Sequence, residues 1–406
     1  MSAKKTSSKS TSTNPVLVII IVLIVACLGA VYIFTGSDPF GLFTPTDVSP
    51  AATLAPATAV VEPSQAARST PEAQSGDWWQ VYFTDPNTIN DPDNLAGSIP
   101  EKLIEYIDGA QHSIHIAAFE FNLTPVAEAL IAAHKRGVEV RWITDDEYGI
   151  QADEEDGRGQ FAMLKKAKIE VKDDQRSGLM HDKFLIFDGR YVWTGSTNLT
   201  VNGNFRNNNN VIVIDSPDLA AVFERQFADM WAGNFGPASP SSIDQQLVKI
   251  ARTPIQALFS PEDDVISHLV PYIQGAQKSI RIMAFSFTHD DLEAAVLERF
   301  KAGVDVKAIF ETRGSETEYS ALPLFYCAKM PARQDGNPGT FHHKVIIIDE
   351  HILITGSLNF TNNADESNNE NTLVITRADI AKLYVKEFER RWAEATDPER
   401  SAMKCK

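Results

Sequence analysis

One pattern is written twice in this chain, and it limits the fold to two equivalent halves. His181-Asp182-Lys183 runs into Phe184-Leu185-Ile186-Phe187 and Asp188, and six residues later comes Gly195-Ser196-Thr197-Asn198. The same spacing returns at His342, Lys344, Asp349 and Gly356-Ser357-Leu358-Asn359. The flanks repeat as well. Gly109-Ala110-Gln111 matches Gly275-Ala276-Gln277, Ala118-Phe119 matches Ala284-Phe285, and Gly137-Val138 matches Gly303-Val304. Asn207 to Ile214 aligns with Asn368 to Ile375, and Phe227 and Trp231 with Phe388 and Trp392. Self-similarity on this scale means two copies of one supersecondary unit.

Between the matches, strand and helix patterns alternate, which gives an α/β class. A short strand is expected at 81–83. Ser98 caps a helix with Pro100 in its first turn and Leu103, Ile104 and Ile107 along one stripe. A strand over 113–121 follows, then a helix over 124–136 closed by Gly137, and a strand over 138–144. A short helix over 160–167, strands at 169–171 and 211–214, and a helix over 219–231 complete the first half.

Ahead of this repeat the composition changes twice. Residues 1–15 are polar with Lys4, Lys5 and Lys9 and no acid. Residues 16–34 carry no charge and are long enough to span a bilayer. Lysines before the segment and Asp38 after it place the N-terminus in the cytoplasm and the rest outside. A cleaved signal peptide and a lipoprotein signal ending at Cys27 are rival readings. Residues 35–76, rich in Pro, Ala, Thr and Ser, cannot bury a core and read as a disordered linker. The domains are then a tail (1–15), a transmembrane anchor (16–34), the linker (35–76), a first lobe (77–236), an inter-lobe linker (237–254), a second lobe (255–396) and a tail (397–406). Three cysteines cannot make a disulfide framework; a Cys327–Cys405 bridge is open to the chain, but nothing in the sequence supports it. A net charge of −17 counts against a dedicated binder of polyanions.

The motif strand names the chemistry. Side chains alternate along a strand, so His181 and Lys183 share a face, while Asp188 has the opposite parity and is structural, as is Asp349. Four consecutive apolar residues in each copy describe a strand buried on both faces. A His and a Lys at the head of a buried strand are costly without a function. Two such halves, face to face, put two imidazoles around a pocket lined by Lys183, Lys344, Asn198 and Asn359. That arrangement suits a phosphodiester. Cations and amides hold the non-bridging oxygens, one His attacks phosphorus, and the other protonates the leaving oxygen. The lysines supply the charge, so the reading requires no metal and no cofactor. Glu370 and Asn209 stand at equal distances after His342 and His181. The expectation is that each orients its own motif histidine. His342 with Glu370 would then be the protonated acid, and His181 with Asn209 the neutral nucleophile. His343 and His351 have no counterpart in the first copy and read as bystanders.

The doubled pattern resembles the signature of the phospholipase D superfamily, over about residues 78–396. Phe341 to Ile375 is similar to the branch containing bacterial endonucleases and the mitochondrial cardiolipin hydrolase. The resemblance implies two pseudo-twofold-related αβα lobes with mixed central sheets, a covalent phosphohistidine and no metal. It also implies catalytic roles for His181, Lys183, Asn198, His342, Lys344, Asn359 and Glu370, with Ser196 and Ser357 as motif serines near the substrate. Members of that branch usually carry one motif and dimerise, whereas this chain has both and could act as a monomer. The expected substrate is a phospholipid at a membrane that the N-terminal helix anchors, with the catalytic part extracytoplasmic. The alternatives are an endonuclease acting on single-stranded or duplex nucleic acid, and a cardiolipin synthase-like phosphatidyltransferase.

Overall fold

The computed structural model describes residues 74–405. The first tail, the anchor at 16–34 and nearly all of the linker lie outside the described residues. Among the described residues no helix is long and apolar enough to cross a membrane.

Eight strands form the first sheet: β1 (Gln74–Gly76), β2 (Trp79–Phe83), β3 (Ser113–Ala118), β4 (Glu139–Thr144), β5 (Glu170–Asp173), β6 (Lys183–Phe187), β7 (Tyr191–Gly195) and β8 (Asn210–Asp215). The second has β9 (Leu247–Ile250), β10 (Thr253–Ser260), β11 (Ser279–Ala284), β12 (Asp305–Phe310), β13 (Ala332–Gln334), β14 (Lys344–Ile348), β15 (Ile352–Gly356) and β16 (Glu370–Thr376). The orders are β1-β2-β8-β7-β6-β3-β4-β5 and, for the second, β9-β10-β16-β15-β14-β11-β12-β13. Both are mixed. β3, β4 and β5 run parallel, and the rest of the sheet is antiparallel, with the same division in the second lobe.

Local rules account for most element ends. Ser98 caps the helix Ile99–Gly109 by accepting from Glu101 N. Gly137, left-handed at φ 96°, closes Thr124–Arg136, where a side chain would be strained. The strand expected to reach residue 121 stops at Ala118, because its partner β6 begins at Lys183 directly opposite. Phe119 therefore leaves the sheet. Residues 247–254, read as inter-lobe linker, form β9 and the start of β10 in the second sheet, and Gln74–Gly76 plays the same edge role in the first. Such short edge strands show no period-2 signal. The segment expected as a tail at 397–406 is not free over its described residues, 397–405: Cys405 is bonded to Cys327, and Met403 is buried in the second lobe.

Each sheet turns one face to helices of its own lobe. The other faces share one core, in which the helices Pro217–Trp231 and Ala378–Glu394 pack with residues from both sheets. Phe223 touches Phe184 of the first sheet and Phe259 of the second, with ring centroids 5.0 and 5.2 Å away. Such interlocked apolar packing makes the two lobes one cooperative unit. It also brings the heads of β6 and β14 to a common boundary.

Candidate active site at the lobe boundary

Strands β6 and β14 are buried along their full length, as the continuous apolar runs require. At their heads, His181 and His342 are 5% and 9% exposed. Backbone bridges stitch the lobes here. His181 N donates to Asn369 O, and His342 N donates to Asn208 O, each at 2.9 Å. The pseudo-twofold relation is therefore built into the main chain.

Each lysine folds back on its own histidine. Lys183 Nζ donates to His181 O at 2.8 Å and lies over the Phe119 ring, and Lys344 Nζ donates to His342 O at 2.9 Å over Phe285. Among the described residues neither ammonium has a carboxylate within salt-bridge distance, so each keeps donors for an anion. Burial pulls Lys183 down to about 8, against the opposing pull of Glu370 and Glu120. Burial and the charge of Lys183 also lower Lys344. Burial depresses both histidines, and the charges of both lysines depress them further. The side-chain oxygens of Asn198 and Asn359 are buried, and among the described residues they have no hydrogen-bond partner. Each ring and ammonium thus sits at the lobe boundary, and the ammoniums and the two asparagine oxygens have hydrogen-bonding capacity left over.

The orienting groups are exchanged between lobes, which corrects the expectation from sequence. Glu370 backs His181: Nδ1 lies 2.8 Å from both of its carboxylate oxygens. Asn209 backs His342: its Oδ1 and the Ser196 carbonyl each lie 3.0 Å from Nδ1. The cause is the docking of the lobes, which leads β16 behind the first motif and β8 behind the second. Burial raises the Glu370 carboxyl to about 8, while Lys183, Ser357, Asn368 and Lys344 favour its anion. Three donors converge on it, from His181, Ser357 and Asn368, so the site is built for the carboxylate.

Ser196 and Ser357, expected near substrate, use their hydroxyl hydrogens within the protein. Ser196 Oγ donates to Asn209 Oδ1 at 2.7 Å and Ser357 Oγ to Glu370 Oε2 at 2.6 Å. Each fixes the group that orients a histidine. The motif glycines have an equally local reason. A Cβ on Gly195 or Gly356 would collide with the Asn210 or Asn371 carbonyl. Asp188 and Asp349 sit at the far end of the strands, left-handed at φ 55°. Asp188 accepts from the N–H groups of Gln111, His112 and Ser113, and Asp349 from those of Gln277, Lys278 and Ser279. They tie the turn after the motif strand to β3 and β11, a structural role.

Some contributors went unread in the sequence. Phe119 and Phe285 pack on His181 and His342, with ring centroids 4.8 and 5.1 Å away. Their signal was present, since both belong to a matched pair of the repeat. Asn371 Oδ1 accepts from Lys183 N across the lobe boundary. His343 is a buried core histidine facing Asn210 and Glu387. Beside the first half-site, Asp145, Asp146 and Asp174 bring ligand atoms within 4.8 Å of one another, with the Arg176 guanidinium 3.6 Å from Asp174.

Comparison with known proteins agrees with this geometry. The family described as "Cardiolipin synthase, PLD-like domain" matches residues 103–231 and again 269–392, one match per lobe. The mitochondrial cardiolipin hydrolase of Xenopus laevis is 34% identical over 138 residues, 34% of this chain and 63% of that protein. A phospholipase D of Rickettsia bellii is 32% identical over 140 residues, 34% of this chain and 70% of that protein. This chain spans less than two thirds of the length of the cardiolipin hydrolase it matches. The phosphatidylserine synthase of Haemophilus influenzae shares the fold across both lobes, with TM-score 0.58 at 13% identity, covering 80% of this chain and 88% of that one.

Proposed function

Because the chain belongs to the phospholipase D superfamily, we propose that it is a metal-independent phosphodiesterase working through a phosphohistidine, with a membrane phospholipid as substrate. The observation that carries the reading is a histidine–lysine pair from each lobe at one buried boundary, with unlike groups behind the two rings.

That inequality assigns the roles. Glu370 holds the proton of His181 on Nδ1, leaving Nε2 with a free lone pair for attack. When Nε2 bonds phosphorus the ring becomes cationic, and the carboxylate faces that charge. His342 has only neutral acceptors at Nδ1, so its imidazolium is not over-stabilised and gives up a proton readily. The anionic substrate raises the pKa of His342 as it binds and so charges the acid when it is needed.

In the first step His181 Nε2 attacks phosphorus, the bond to the leaving oxygen breaks, and His342 Nε2 gives that oxygen its proton. In the second, His342 takes a proton from water, the water oxygen bonds phosphorus, and the phosphorus–nitrogen bond breaks. Lys183, Lys344, Asn198 and Asn359 hold the non-bridging oxygens in both steps.

A lipid substrate is favoured by the names of the relatives and by the acidic chain, which repels polynucleotides. The Cys327–Cys405 bridge suits an oxidising compartment and so supports an extracytoplasmic catalytic part. The test is the full chain in EDTA against labelled phospholipid vesicles, with and without an added alcohol acceptor, and against single-stranded DNA. Head-group release with water as acceptor is expected. Transfer to the alcohol in preference to water would mean a phosphatidyltransferase, and DNA cleavage without lipid turnover would overturn the lipid reading.

A further inference from the structure

The backbone just ahead of each motif histidine is held by a carboxylate from the loop that follows the second strand over in the same sheet. Asp145 follows β4, and its Oδ2 accepts from Met180 N at 3.1 Å. Glu311 follows β12, and its Oε2 accepts from Phe341 N at 2.6 Å. The two acids hold the same place in the repeat and are 1% and 2% exposed. A second buried acid braces the residue after each. Asp174 Oδ1 accepts from Asp146 N at 3.1 Å, and Asp335 Oδ1 from Thr312 N at 2.9 Å.

The next N–H along each chain points the other way, across the lobe boundary, to Asn369 O or Asn208 O. Successive N–H groups of extended backbone point to opposite sides, so the two anchors clamp the chain from both. One anchor is a neutral carbonyl. The other is a carboxylate oxygen, 3.1 Å away at Asp145 and 2.6 Å at Glu311. Asp145 does more than hold one group: its Oδ1 accepts from Glu147 N and Tyr148 N at 3.1 and 2.8 Å. It thus joins the short helical turn Asp146–Gln151 to the backbone of Met180, the residue before His181. Tyr148, partly exposed on that turn, lies 5.0 Å from the Phe119 ring that packs on His181.

We propose that Asp145 and Glu311 are paired positioning residues, Asp145 fixing the line along which His181 attacks phosphorus and Glu311 the line along which His342 delivers its proton. This rests on the assignment of His181 as nucleophile and His342 as acid. Neither carboxylate needs to touch the substrate. Each acts through the main chain of a histidine for which a misplacement of about 1 Å costs about 100-fold in rate.

The test uses the full chain, with Asp145→Asn and Glu311→Gln, on methyl aryl phosphodiesters whose leaving groups range from p-nitrophenol to unsubstituted phenol. An amide has one acceptor oxygen where the carboxylate has two, so each variant releases part of its clamp. Asp145→Asn is expected to lower kcat by about 100-fold across the whole series, with KM nearly unchanged, because attack is needed for every leaving group. Read in the single-turnover burst, Glu311→Gln is expected to keep nitrophenol release within a few-fold and to lose about 100-fold with phenol, which needs the acid, while its steady-state turnover falls with both because His342 is also the base of the second step. Burst rates like wild type in both variants, or one uniform burst loss shared by both, would leave the acids with a merely structural role and overturn the proposal. An exchange of the two patterns would keep the positioning role and reverse the histidine assignment. Thermal unfolding checks each variant. Should Asp145→Asn not fold, Asp145→Glu displaces the acceptor by one methylene and is read on the same series, where wild-type rates throughout would count against the proposal.

Discussion

His181 Nδ1 lies 2.8 Å from both carboxylate oxygens of Glu370, a residue of the opposite lobe 189 positions further along the chain. Neither lobe alone therefore holds a complete site. If Glu370 orients the ring and faces its developing charge, Glu370→Gln should lower kcat by about 100-fold while KM changes little. Acid-quenched enzyme should carry phosphate on His181. His342→Ala should still form that adduct from a nitrophenyl diester and then fail to turn over. An adduct mapped to His342 would reverse the roles.

The amide behind His342 can be converted to the group behind His181. Asn209→Asp places a carboxylate at Nδ1, which favours imidazolium and raises its pKa. A general acid works only while protonated, so the alkaline limb of the kcat profile should move to higher pH. The change also removes the Asn209 Nδ2 donor to Gly203 O and sets an anion beside that carbonyl. A stability loss of about 1–3 kcal/mol is expected with it, read as a lower denaturation midpoint.

The lysines predict a second pH effect. Lys183, pulled down to about 8 by burial, is charged below that pH and neutral above it. Phosphodiester binding to the free enzyme should weaken as pH rises through about 8, so kcat/KM falls there. Bound substrate is anionic and holds the proton on the lysine, which places the limb in kcat at higher pH. Coincident limbs in both parameters would remove Lys183 from the binding of the anion.

The Cys327–Cys405 bridge closes a loop of 78 residues around the edge of the second lobe. Chain-entropy arguments give about 4.5 kcal/mol for a loop of that size. Cys327→Ser should lower the unfolding midpoint markedly. Activity well below that midpoint should be retained, because among the described residues no hydrogen bond or ion pair joins Cys327, Cys405 or their chain neighbours to a motif side chain. A loss of kcat without a loss of stability would show that this edge is coupled to the site.

Much of the fold was legible because its signals are local. Ser98, Gly137 and the buried runs after Lys183 and Lys344 each announce a cap, a stop or a strand within a few residues. Edge strands β1 and β9 were not legible, since Gln74–Gly76 and Leu247–Ile250 are too short to show a period. At the site, the histidines, lysines, asparagines, serines and Glu370 were readable from the doubled pattern. Phe119 and Phe285 stood in matched positions of the repeat, but nothing local marks an aromatic residue as a platform for a histidine three strands away in sequence.

From sequence alone came the chemical inventory and its duplication: two imidazoles, two ammoniums and two amides at equal spacings. Bond lengths and the two-residue alternation of a strand act over a few residues, so spacing suffices to place those groups together within a lobe. Tertiary structure alone decided which orienting group serves which ring. Counting along the chain pairs Glu370 with His342, whereas the packing of two lobes around a shared apolar core delivers it to His181. That choice is made by surfaces meeting across an approximate twofold axis, a relation that leaves no period in the sequence.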